Sequence, residues 1–307
     1  MSLKDSLIGL FIIFIWGINF VVIIWGLESL PPLLMGAERF LLVAIIGSLF
    51  VKRPNIPWHW LILYAMSLSF GQFAFLFSAM AFGMPAGLAS LVLQSQALFT
   101  LIFAVLILKE QIKPIQVLAM LVSGIGLYII GASDQQAATT YMVMTGVGFG
   151  LTLAAAMCWA LGNIINRSIN QRGYNANIGL VVWSAWIPPV PFLVASYYFE
   201  GPQVILNSLI NIELSSISAL LYLALMASIV GYSLWGYLLG RYPIAQVAPL
   251  SLGVPVVGLT AASILLNETL LWQQGIGIVL VMIGLLINSM GGRVVSFISK
   301  RLVENRG

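Results

Sequence analysis

The chain has 307 residues, 61% of them hydrophobic and only 7% charged, against roughly 25% charged in a soluble domain. No fold in water hides that much apolar surface, and a mean hydropathy of +1.04 makes lipid the solvent for most of it. Thirteen Lys and Arg against nine Asp and Glu leave a net charge of +4, but the basic residues are scattered between apolar runs and form no groove, which argues against nucleic acid as a partner.

Ten apolar runs reach the length of about 20 residues needed to cross a bilayer. The first, 6–26, follows Lys4 as the core of a signal peptide would, but it lacks a small-residue cleavage site and is expected to be a retained span. The second, 32–51, starts on Pro31-Pro32 and carries Glu38 and Arg39. The third, 59–81, opens beside Trp58, His59 and Trp60, which read as residues of the membrane interface. The fourth and fifth, 84–108 and 114–131, begin near Pro85 and Pro114, where a missing N–H costs least. The sixth, 142–167, holds Cys158, the only cysteine, so no internal disulfide or cysteine-based metal site is expected. Its "GVGFGLTLAAA" resembles part of a dinucleotide fingerprint, but no strand precedes it, and the glycines read as helix-contact positions.

The seventh run, 177–198, carries "WIPPVPF". Pro188, Pro189 and Pro191 each remove a donor in mid-span, so a kink is expected that faces protein or water. The eighth, ninth and tenth runs are 215–239, 243–266 and 272–291, and Pro249 and Pro255 predict a second bend in the ninth. The tail, 292–307, has apolar residues at helical spacing among four basic ones and reads as an amphipathic cytoplasmic helix on the anionic inner surface.

Lys and Arg in short loops stay in the cytoplasm. With the N-terminus inside, twelve of the thirteen basic residues fall on inner segments, and the outer ones carry Glu28, Asp134, Glu200, Glu213 and Glu268. The thirteenth, Arg39, lies within a span. "LILKEQI" at 106–112 returns 158 positions later as "ILLNETL", with Lys109 replaced by Asn267. Pro85 then pairs with Pro243, Glu110 with Glu268, and Ile125-Gly126-Leu127 with Ile283-Gly284-Leu285. Five helices per copy force the second copy to enter from the opposite face. The expected fold is therefore an all-α membrane protein of ten transmembrane helices as two inverted five-helix repeats, 1–138 and 139–291, with both termini inside. Such repeats characterise alternating-access transporters.

Several stretches, "WGINFVV" at 16–22, "RFLLVA" at 39–44, "FAFLFSAMAFGMPAGLASLVLQSQALFT" at 73–100 and "RYPIAQVAPLSLGVPVVGL" at 241–259, resemble the EamA family of the drug/metabolite transporter superfamily. The resemblance implies a ten-helix basket around a central cavity. It also implies export of small amino-acid metabolites, such as O-acetylserine and cysteine, across the bacterial inner membrane, with broad amino-acid or drug efflux as the alternative.

Polar groups inside a bilayer are costly and tend to face a cavity or a partner. Arg39, about eight residues into its span and roughly 10 Å below the outer surface, fits either a substrate carboxylate or a structural pairing. Glu38, the one acidic residue within a span, fits either proton coupling or a structural role. Trp16, Asn19, Gln72, Gln94, Gln96, Trp159, Asn163, Trp183, Tyr232, Trp235 and Ser251 are candidates for the substrate pathway. Gln94 and Gln96 cannot face the same way, whereas Tyr232 and Trp235, three apart, share a face. No cofactor is implied, and duplication within one chain predicts a monomer. Two readings of other classes stay open: a channel, and an integral-membrane enzyme, for which no intramembrane histidine or metal-ligand cluster speaks.

Overall fold

The computed structural model describes residues 1–133, 144–174 and 178–304, with side chains at all of these except 244, 245 and 290–304. Asp134, the expected boundary at 138/139 and the first residues of the expected sixth span lie outside the described residues. Every regular element among the described residues is helical, as lipid requires of a chain that must satisfy its own backbone. Among the described residues, nine helices are long and apolar enough to cross a membrane, from Leu3–Gly26 to Trp272–Ser289. The pair Ile178–Ser184 and Pro189–Phe199, bent by 43°, is long and apolar enough only when its two helices are taken together, and counted as one span it makes ten. This is the kink expected from "WIPPVPF": Pro188 and Pro189 are buried, so the broken backbone faces protein.

Prolines mark the starts. Pro32 and Pro114 occupy the first helical turn, and Pro57 and Pro85 stand just before helices at Trp58 and Ala86. The spans are less uniform than hydropathy suggests. The third, Trp58–Ala81, contains a π-helical segment, Ala65–Gly71, and the eighth, Leu214–Arg241, contains another, Tyr222–Val230. Such wide turns concentrate at functional sites. The ninth absorbs Pro249 in a 3₁₀ segment, Ala248–Leu252, and Pro255 lies in the first turn of the helix Gly253–Leu265 that follows. A short helix with no buried residue, Pro202–Ile210, links the seventh and eighth spans; the sequence reading passes over it. The last helix runs unbroken from Trp272 to Glu304. No turn separates the basic tail, and the side chains that would show an amphipathic face lie outside the described residues.

The packing is that of a protein solvated by lipid. Phe50, Tyr198 and Phe199 are 79%, 77% and 84% exposed, while Phe77, Phe192, Leu88 and Leu91 are fully buried. The fifth and tenth spans meet through glycines. A Cβ on Gly126 would lie 2.7 Å from the Gly277 carbonyl and 2.8 Å from the Val281 amide. One on Gly284 would lie 2.7 Å from the Ala119 carbonyl and 2.8 Å from the Ser123 amide. Under the 158-residue offset these two sets of neighbours exchange places. Lys109 and Asn267, paired by the same offset, both adopt the left-handed conformation, with φ of 55° and 54°. In each case the next amide, of Glu110 or Glu268, donates to an alanine carbonyl six residues back, Ala104 or Ala262, at 3.2 Å.

Candidate functional site

Arg39 is 2% exposed, inside the second span. Its guanidinium carbon lies 4.0 Å from the centroid of the Phe73 ring and 5.5 and 5.8 Å from those of Phe40 and Phe77. Nη2 donates to Ser228 Oγ at 3.2 Å, and Ser228 in turn donates to the Leu223 carbonyl at 2.8 Å within the second π-helical segment. Nε and Nη1 have no partner, and neither has Oε2 of Glu38. The two neighbours do not pair, as expected of helix positions about 100° apart.

The wide turn of the eighth span brings further polar and aromatic groups to this region. Tyr232 is within electrostatic reach of Arg39. Trp16 packs on both Tyr232 and Trp235, with ring centroids 5.4 and 5.3 Å away, and its Nε1 donates to the Ala227 carbonyl at 3.0 Å. The first, second, third and eighth spans thus build one cluster around a buried cation. Asn19 and Gln72 are also buried, and their side-chain carbonyl oxygens have no partner. Gln94 is buried beside Ser95, whose hydroxyl is unpaired.

The remaining candidates lie elsewhere. Asn163 Nδ2 donates to Gln96 Oε1 at 2.7 Å and to Thr100 Oγ1 at 3.2 Å, a polar contact between the fourth and sixth spans. Trp159, half-buried, packs at the edge of the core. Trp183 donates to the Val51 carbonyl at 2.9 Å and so tethers the end of the second span. Ser251 donates to its own chain at Ala248, 2.8 Å away. Ser228 and the phenylalanine box are absent from the sequence reading. A serine in an apolar run gives no signal of the arginine it serves.

Loop glutamates act as remote helix caps. The amides of Ala86 and Gly87, at the start of the fourth span, donate to Oε1 and Oε2 of Glu268 at 2.6 and 2.9 Å. The amides of Leu33 and Leu34, at the start of the second span, donate to Glu200 at 2.6 and 3.2 Å. Both use otherwise unpaired N–H groups and the positive end of a helix. Burial raises the Glu268 carboxyl above its ordinary value, against the pull of the two amides. Glu110, its counterpart under the 158-residue offset, pairs with Arg167 at 2.6 Å instead.

A family model described as the EamA-like transporter family matches the chain twice, at residues 4–132 and 146–290. A Salmonella typhimurium protein named "Probable amino-acid metabolite efflux pump" is 51% identical over 96% of this chain and 97% of its own length. An Escherichia coli K12 protein of the same name is 47% identical over 95% and 97%. A solved crystal structure shares the fold, with a TM-score of 0.64 at 18% identity, over 96% of this chain and 99% of that one. The likeness reaches nearly every residue of the lipid-embedded bundle, and the chain belongs to the EamA-like transporter family.

Proposed function

We propose that this multi-pass membrane protein is a secondary transporter that exports small amino-acid metabolites, such as O-acetylserine, cysteine and related amino acids, across the bacterial inner membrane. The observation that carries this reading is the set of polar atoms left unpaired inside a lipid-facing bundle: those of Asn19, Glu38, Arg39, Gln72 and Ser95. Such atoms are costly in hydrocarbon and mark a solute path. The names of the two bacterial relatives support the class of solute.

In this reading residues 1–138 and 139–291 are two five-helix halves threaded in opposite senses, with both termini in the cytoplasm. Support comes from the double family match, the exchanged neighbours of Gly126 and Gly284, and the paired left-handed turns at Lys109 and Asn267. Transport then proceeds by alternating access around the central cluster. The two ends of the bundle differ in burial, which supports this reading. At the Glu268 end the fourth span is buried throughout Ala86–Ser95. Beyond it, in Gln96–Leu108, only Leu98 and Ala104 are buried, and the Glu110 end is not closed in the same way.

Counterflow in proteoliposomes with a panel of labelled amino acids and O-acetylserine tests the function. Saturable exchange is expected; flux that never saturates indicates a channel, and product without translocation an enzyme. In a Cys158→Ser background, Lys109→Cys is expected to label from the cytoplasm and Asn267→Cys from outside. Labelling of both from one compartment overturns the threading.

Glu38 is assigned the coupling proton in this reading, because its buried oxygen has no structural partner. Glu38→Gln is expected to abolish acceleration by a pH gradient while counterflow persists. A wild-type rate that ignores the gradient removes the assignment.

A further inference from the structure

We propose that Arg39 is the specificity residue for a carboxylate: its unpaired guanidinium edge takes the α-carboxylate of the transported metabolite. This deepens, and rests on, the amino-acid reading above.

A guanidinium offers five N–H donors in one plane, arranged as two forked edges that share Nη2. In Arg39 only Nη2 is engaged, by Ser228 at 3.2 Å, while Nε and Nη1 are unpaired. Nη2 has two hydrogens, one on each edge. Whichever of them Ser228 accepts, the other still completes a two-donor fork, with Nε or with Nη1. The Phe73 ring centroid lies 4.0 Å from Cζ.

Two parallel N–H donors match the two oxygens of a carboxylate, as they match those of a phosphate, and the amino-acid reading selects the carboxylate. Among the described residues the protein supplies no such group here. Glu38 is adjacent in sequence, yet its own buried oxygen is also unpaired, so the two do not form an internal ion pair. Phe40, Phe73 and Phe77 surround the cation without neutralising it. A buried cation with no counter-charge among the described residues and an unpaired fork is suited to an anion that arrives and leaves. Tyr232, half-buried and within electrostatic reach of Arg39, connects this fork to the aromatic group formed with Trp16 and Trp235. Ser228 is the positioning residue that holds the fork in place.

The test compares free amino acids with their methyl esters, which lack the anionic carboxylate. In proteoliposomes, labelled cysteine counterflow by the wild type is expected to be competed by unlabelled cysteine or serine at concentrations roughly tenfold or more below those of the esters, the scale of one charge-assisted hydrogen bond. Arg39→Gln, at normal membrane abundance and thermal stability, is expected to raise the KM for the free acid roughly tenfold or more and leave the KM for the ester unchanged. Arg39→Lys, which keeps the charge but not the fork, is expected to recover part of the preference. Equal competition by acid and ester in the wild type overturns the proposal without any variant, and so does an equal loss of both substrates in Arg39→Gln. A wild type that exchanges no amino acid and no ester contradicts the functional reading itself, a different result from either of these.

Discussion

Gly126→Val is expected to separate the fifth and tenth spans and to leave little folded protein. Valine places a Cβ 2.7 Å from one backbone atom of the tenth span and 2.8 Å from another. No rotamer relieves a contact with backbone, so the helices must move apart and lose the packing that joins them. Overpacking of this kind costs about 3 kcal/mol or more. Gly284→Val meets the reciprocal neighbours and is expected to cost as much. The two changes together are expected to cost less than their sum, because the first already opens the seam the second would open. Gly124→Ala and Gly275→Ala, two residues from Gly126 and nine from Gly284 on the same helices, are the controls: nothing lies within 4 Å of either Cβ, and both are expected to be neutral. Thermal unfolding of the purified protein in detergent, with membrane abundance, measures all of these. Equal stability of Gly126→Val and Gly124→Ala would refute the close contact.

The second large effect separates two glutamates that the sequence presents as twins. Glu268→Ala leaves the amides of Ala86 and Gly87 buried without acceptors, at about 1–3 kcal/mol each. Glu268→Gln keeps one acceptor and is expected to fall between the alanine variant and the wild type. Glu110→Ala removes an ion pair whose side chains are 34% and 49% exposed, which is worth at most about 1 kcal/mol. Thermal stability should therefore drop far more for Glu268→Ala than for Glu110→Ala. The same variant should loosen one end of the bundle, so a cysteine placed at Leu88, fully buried in the folded chain, should gain reactivity in Glu268→Ala. Equal losses for the two glutamates would mean that the two ends of the protein are closed alike.

Much of this was legible in the chain itself. A bilayer leaves a spanning segment one way to satisfy its backbone, so an apolar run of sufficient length is a helix, and prolines mark its start. The kink at 188–191 followed from the same rule. The 158-residue offset was visible because the fifth and tenth spans must keep small residues where they cross, and the phrase around Glu110 and Glu268 keeps one turn geometry. Arg39 stood out because a charge in hydrocarbon is costly.

What the chain could not disclose depends on partners brought from far along it. The π-helical segments in the third and eighth spans arise in runs apolar on every side, where no periodicity marks the change of turn. Ser228, 189 residues from Arg39, is one hydroxyl among many. Trp183, a pathway candidate by composition, donates to the carbonyl of Val51, 132 residues away. Glu268 and Glu110 stand at matching positions under the 158-residue offset, yet one caps a helix and the other meets an arginine. Solvent transfer is a property of each run, so the sequence by itself determined which segments enter lipid. Hydrogen bonds and ion pairs are properties of pairs, so only the packed bundle decided which polar groups are spent on one another and which, among the described residues, stay unpaired.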